Sequence, residues 1–210
     1  MKQFLLACLV AIFFSSCKDE KKTVALENTV SKNQKEITTL IRNVLTWSDS
    51  KNGVNVLPVL ISENDTVYRG FDMIQLSKNI IVLEQTGFFT AEFRNNYTNI
   101  IKTLDKRIRD KTFEIWHVGD LPTFSFGNDV NPWCNCQDIC SEINDVEVEV
   151  IRLDEMKGEF YWKFGGMKPE NDSSCKEFRY KFKVAKQNGT WKIDWMEGFD
   201  YETSIKKDGL

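Results

Sequence analysis

A chain of 210 residues with 28 Lys and Arg against 31 Asp and Glu carries a net charge of −3, and it contains a single histidine. That balance excludes a basic field for nucleic acid, and one histidine excludes any site built from two. Six cysteines and 41 % hydrophobic residues leave room for one domain with a sizeable core, stapled by disulfides.

Lys2 and the apolar run Phe4 to Phe14 precede Ser15-Ser16-Cys17. The run is too short for a membrane span, which takes about 20 apolar residues. A positive start, a short apolar stretch and small residues before a cleavage point describe a signal peptide. With the cysteine at that point, residues 1–16 resemble a bacterial lipoprotein signal. The resemblance implies that Cys17 becomes the mature N-terminus, carrying a diacylglyceryl thioether and an acyl chain such as palmitate on its amine. Several acyl chains hold a protein on a bilayer where one does not. The expected location is therefore the outer membrane or cell surface, with the membrane engaged through the lipid. Lys18-Asp19-Glu20-Lys21-Lys22 resembles the charged export tag of surface lipoproteins, and residues 17–30 read as a flexible tether. Loss of residues 1–16 leaves 27 basic and 31 acidic residues, a charge of −4.

Residues 31–205 read as a single domain. Ser31 with Gln34 forms a capping box, and Ile37, Leu40, Ile41, Val44 and Leu45 recur at helical spacing up to Asn52-Gly53. Pro58 within the apolar run of residues 54–68 predicts an extended edge segment. Asp72 with Gln75 starts a second helix carrying Met73, Leu76, Ile80 and Leu83, which Gly87 stops. Thr90 caps a third, whose apolar face is Phe93, Tyr97, Ile100, Ile101, Leu104 and Ile108. A strand is expected around Phe113–Val118.

The period then changes from 3.6 to 2. Val146, Val148 and Val150 form one alternating set; Phe160, Trp162 and Phe164 a second; Phe178, Tyr180, Phe182 and Val184 a third; Trp191, Ile193 and Trp195 a fourth. Four strands with one apolar and one charged face predict an antiparallel sheet covered on one side, with hairpin turns at Gly158 and Asn188-Gly189. Helices followed by a meander make an α+β domain, the helices lying on the aromatic face.

Tyr180-Lys-Phe-Lys-Val-Ala-Lys-Gln-Asn-Gly-Thr-Trp-Lys-Ile-Asp-Trp195 resembles the closing hairpin of the NTF2-like (cystatin-like cone) superfamily. Thr86-Gly-Phe-Phe-Thr-Ala-Glu-Phe-Arg-Asn-Asn-Tyr97 and Asn131-Pro-Trp-Cys-Asn-Cys-Gln137 are similar to segments of its lipoprotein families of unknown function. The resemblance spans roughly residues 32–202 and implies N-terminal helices packed on a curved antiparallel sheet. The superfamily hosts enzymes, ligand binders and toxin-neutralising proteins, so the fold does not choose a function. Its catalytic members place Asp, His or Tyr inside the cone, and no such set matches here residue by residue.

Cys8 leaves with the signal, so Cys134, Cys136, Cys140 and Cys175 remain beside Cys17. Four thiols in an exported domain predict two disulfides. Direct pairing of Cys134 with Cys136 is set aside, because one intervening residue makes a strained ring. Cys134–Cys140 with Cys136–Cys175, or Cys136–Cys140 with Cys134–Cys175, remain. Either arrangement ties the 131–141 loop to the 165–176 loop and adds about 2–4 kcal/mol. Metal is not expected, since C-x-C-x3-C lacks the paired C-x2-C knuckles of structural zinc sites.

His117, in a Trp-His-Val context, reads as a packed or edge residue. No G-x-S-x-G elbow and no Gly-rich phosphate loop occur. Asp145, Glu147, Glu149, Glu155, Glu159, Asp194, Glu197 and Asp200 read as a solvated acidic set. Trp116, Trp133, Trp162, Tyr180, Trp191 and Trp195 are expected first to fill the cone; their functional alternative is a pocket at its mouth for an apolar or sugar ligand. Asp65-Thr66-Val67 resembles an O-glycan acceptor tripeptide. The expected function is non-catalytic binding, of a small ligand in the cone or of a partner protein, by a monomer without cofactor. Two alternatives stand beside it. One is an immunity-type protein that neutralises a secreted toxin. The other is a carboxylate-dependent hydrolase, which needs two opposed acids facing the cone.

Overall fold

The structure is a computed structural model that describes residues 17–64, 66–137, 142–165 and 173–206, with side chains described from residue 30 onward and, after the last break, from 175. Helix α1 runs Cys17–Ser48. Ser31 lies inside it and caps nothing, and the segment expected as a flexible tether is helical. The reason is local: residues 17–31 hold Ala, Leu, Glu and Lys and neither Gly nor Pro, so nothing breaks the helix on its way into the domain. Ile37, Leu40, Ile41, Val44 and Leu45 are buried, as their spacing requires.

Strands β1 (Val59–Ile61) and β2 (Tyr68–Phe71) form a small antiparallel pair after Pro58. The stretch around Phe113–Val118 is not a strand of the main sheet. It meets the chain entering β2 through an isolated bridge, Val67 with His117, flanked by Tyr68 N donating to Trp116 O and Val118 N to Thr66 O. Helix α2 (Met73–Thr86) starts where Asp72 Oδ1 accepts from Ile74 N and Gln75 N, and stops at Gly87 with φ of 70°. Helix α3 (Ala91–Arg109) starts where Thr90 Oγ1 accepts from Phe93 N at 3.1 Å.

The main sheet is β3 (Val146–Leu153), β4 (Lys157–Phe164), β5 (Tyr180–Gln187) and β6 (Thr190–Met196), antiparallel in the order β3-β4-β5-β6. Asn188 and Gly189, with φ of 51° and 80°, make the two-residue turn that right-handed strand twist favours. Gly158 lies within β4 rather than in a turn. The β3–β4 reversal is closed instead by Asp154 Oδ1, which accepts from Met156 N and Lys157 N. A short helix α4 (Ser173–Glu177) precedes β5, and α5 (Tyr201–Ser204) follows β6.

Both sheet edges are occupied. Gln34 Nε2 donates to Val148 O at 3.0 Å and Arg42 Nε to Val146 O at 2.9 Å, so α1 takes up carbonyls on the outer edge of β3. On the far side, Thr90 N donates to Ile193 O and Ile193 N to Phe88 O, which seals β6 with a parallel bridge. Edge groups left open would invite pairing with another chain. Within β6 the register slips: Lys183 faces Trp195 while Val184 faces Ile193, leaving Asp194 as an extra residue. Met196 therefore takes the inward place and Trp195 turns to the outer face.

Candidate functional site

Of the six aromatic residues weighed as core filling or pocket lining, five lie in the interior. Trp162 is 0 % exposed and packs against Phe178, Phe164 and Tyr180 at ring-centroid distances of 4.8, 5.2 and 5.6 Å. Trp133 lies 4.5 Å from Phe199 and 5.6 Å from both Trp47 and Phe89. Trp116 packs on Tyr68 and Phe124, and Trp191 donates from Nε1 to Asn33 Oδ1 at 3.4 Å. Tyr180 is fully buried, its hydroxyl hydrogen-bonded on both sides. The physical cause is supply: aromatic side chains come from the sheet, from α3 and from the loops alike, and they meet in the middle.

The cysteine loop also departs from expectation. Cys134 and Cys136 are bonded to each other, with Cα atoms 5.2 Å apart. Asn135 makes this possible, since its φ of 48° curls the chain while Asn131 O accepts from both Cys134 N and Asn135 N. Asn tolerates the left-handed region better than most residues. A ring this small removes little chain entropy, about 1.6 kcal/mol. It tightens the 131–136 turn and does not itself tie that turn to a distant loop. Cys175 is also disulfide-bonded; Cys140 lies outside the described residues.

What reaches solvent as a built surface is the outer face of the main sheet. β4 and β5 place Glu159 opposite Lys183 and Tyr161 opposite Lys181, and Trp195 follows Lys183 across the next strand pair. The Lys183 ammonium sits 5.0 Å from the Trp195 ring, a cation–π contact. Lys181 Nζ meets Glu159 Oε1 at 2.7 Å, Lys163 lies between Glu147 and Glu149, and Arg179 Nε is 3.5 Å from Glu149. A lattice of paired charges thus surrounds two aromatic side chains. The alternation rule assigned Trp195 to the core; only the extra residue at Asp194, which has no signature in the sequence, moves it outward.

The Lys181 hydrogen bond holds the Glu159 carboxyl below its ordinary value, and the same bond raises Lys181. A depressed acid stabilises above its unfolded value and loses that contribution as pH falls through the folded one. A raised lysine stabilises below its unfolded value and loses it as pH rises through the folded one. The pair therefore supports the fold across the neutral range and fades at both ends. Both side chains are partly exposed, so Glu159→Gln should lower stability at pH 7 by no more than about 0.5–1 kcal/mol. Urea melts should show that difference disappearing as the pH falls below the ordinary glutamate range.

Among the described residues no Asp or Glu is buried, so none of them forms an opposed acid pair in the interior. No group of three or more His, Cys, Asp or Glu among the described residues could hold a metal ion. His117 is exposed at its isolated bridge, and Thr66 is exposed while Asp65 lies outside the described residues. Nothing in this arrangement points to catalysis. No described helix is long and apolar enough to cross a membrane. No protein-family model matches the chain, and no curated protein or solved structure matches it either.

Proposed function

We propose that the chain is a lipid-anchored exported protein whose NTF2-like domain binds a partner protein through the outer face of its main sheet. One observation carries this reading: Trp195 and Tyr161 stand on a sheet face of paired charges, while the other candidate aromatics are spent on the core. Trp, Tyr and Arg are the side chains that dominate binding energy when a partner excludes water around them. The interlocked Lys, Arg and Glu rows give such a face charge specificity without making it sticky alone. Cys17 supplies the anchor in this reading and sets the location at the outer membrane or cell surface. A filled interior argues against a small ligand inside the cone. Neutralisation of a secreted toxin is the form of partner binding that a small, exported, non-catalytic domain suits.

The test uses the full-length protein in its own host, with a photoreactive residue in place of Ala185, which shares the outer face of β5 with Lys183. A discrete cross-linked protein adduct is expected for the wild type and for a Lys102→Ala control. It should be lost with Trp195→Ala and with Lys183→Glu, neither of which should shift the melting temperature by more than a few degrees. Labelled palmitate should enter the wild type and not Cys17→Ser. Absence of a discrete adduct, or an adduct indifferent to both sheet substitutions, would overturn the binding face; unchanged palmitate labelling of Cys17→Ser would overturn the anchor.

A further inference from the structure

A second surface feature lies away from the sheet. Helix α3 buries Phe93, Tyr97, Ile100, Ile101 and Leu104, and its opposite side forms one wall of a cleft of about 880 Å³ closed by Phe113 and Tyr201. That volume lies in the range of small-ligand sites.

Its walls are fixed. Tyr201 and Thr103 share a hydroxyl–hydroxyl hydrogen bond of 3.0 Å that clamps α5 to α3. Arg107 Nη1 donates to Ile205 O at 2.6 Å, and the guanidinium lies 5.7 Å from the Phe113 ring centre. One of its five N–H donors is thereby used and the group is held in place.

Charge at the cleft is one-sided. Asp110 is matched by Lys106, whereas Lys102 makes no ion pair among the described residues and Arg107 has none either. Two cations therefore remain to face a ligand, in a chain whose overall charge is negative. Asn99 adds an amide with no hydrogen bond among the described residues, beside the Thr103 hydroxyl.

We infer that this cleft binds an anionic saccharide, a sugar bearing a phosphate or a carboxylate group. The two free cations answer the acid, with the fixed guanidinium suited to a two-pronged oxyanion contact. The Asn99 amide and the hydroxyls answer vicinal sugar hydroxyls, and the half-buried Tyr201 ring offers apolar surface to a pyranose face. The cleft runs to the last turn of α3, so its cations also have to offset the negative end of the helix dipole. The cleft is independent of the sheet face, and the two readings stand or fall separately.

Calorimetric titration of the full processed chain in detergent decides it, with glucose 6-phosphate, trigalacturonate and neutral glucose as probes. At least one acid should bind with Kd below about 1 mM while glucose does not, and affinity should fall with added salt. Which acid binds separates phosphate from carboxylate recognition. Lys102→Glu, at an exposed position without an ion-pair partner, should weaken binding about tenfold or more, and Asn99→Ala should weaken it several-fold. Lys192→Glu, on β6, should leave it unchanged, and all three variants should melt with the wild type. Failure of both acids to bind below about 10 mM overturns the inference. So does binding of glucose as tight as that of the acids, or an unchanged affinity in Lys102→Glu.

Discussion

Trp162→Ala should remove about 3–5 kcal/mol of stability, the range for deleting a large aromatic side chain from a packed core. For a domain of this size that is a fall in melting temperature on the order of 10 °C. The indole has no accessible surface and is walled by Phe164, Phe178 and Tyr180. Its Nε1 has no hydrogen-bond partner among the described residues. The loss is therefore one of packing alone, with no hydrogen bond to forfeit. Trp162→Phe separates the two contributions: it removes the unpartnered N–H together with part of the ring, and should cost less than about 2 kcal/mol. Denaturant melts of the two variants give the comparison. A Trp162→Ala protein as stable as the wild type would mean that the ring lines an opening. The same substitution reaches the outer face, because Tyr161 and Lys163 flank Trp162 on β4 and the strand must relax around any cavity. The partner binding proposed for the sheet should weaken together with stability.

How much of this was legible depended on whether the deciding interaction is local. Asp72, Gly87 and Thr90 mark helix ends in the sequence because a cap is settled within three residues. The four strands were legible because burial on one face imposes a period of two, and Asn188-Gly189 because left-handed φ selects those residue types. Ser31 and Gln34 satisfied the pattern of a cap and yet lie inside α1. The pattern records a capacity, and Gln34 uses its amide on Val148, 114 residues away. Trp195 was misplaced because one residue inserted at Asp194 reverses the alternation, and strand pairing, rather than β6 itself, fixes where the slip falls. In the sequence, ring strain argues against a Cys134–Cys136 bond; in the fold, the left-handed φ of Asn135 brings the two cysteines together. The charged face and the cleft wall follow the same division. Their residues can be read one strand or helix at a time, but which cations remain unpaired is a tertiary matter.

Tyr180→Phe should lower stability by about 2–3 kcal/mol although it removes a single oxygen atom. That hydroxyl donates to Pro132 O and accepts from Gly198 N, each at 2.8 Å, so it joins β5 to the cysteine turn and to the chain leaving β6. Burial pushes the phenol well above its ordinary value, so it stays protonated and keeps its donor role over the whole pH range in which the fold persists. Phenylalanine fills the same space but leaves a carbonyl and an amide without partners, at about 1–3 kcal/mol for each group cut off from water. Gly198 is part of the same knot: a Cβ there would run into the Pro132 carbonyl, so Gly198→Ala should force the two segments apart by a different route. The loosening should stay local at first. Trp133, one residue beyond Pro132, packs on Phe199, one residue beyond Gly198, and that contact depends on the turn being held. Hydrogen exchange in Tyr180→Phe should therefore quicken at residues 131–136 before it quickens in the sheet. Uniform exchange across the domain, or a melt coincident with the wild type, would show instead that the Cys134–Cys136 ring and the aromatic cluster hold the turn without the hydroxyl.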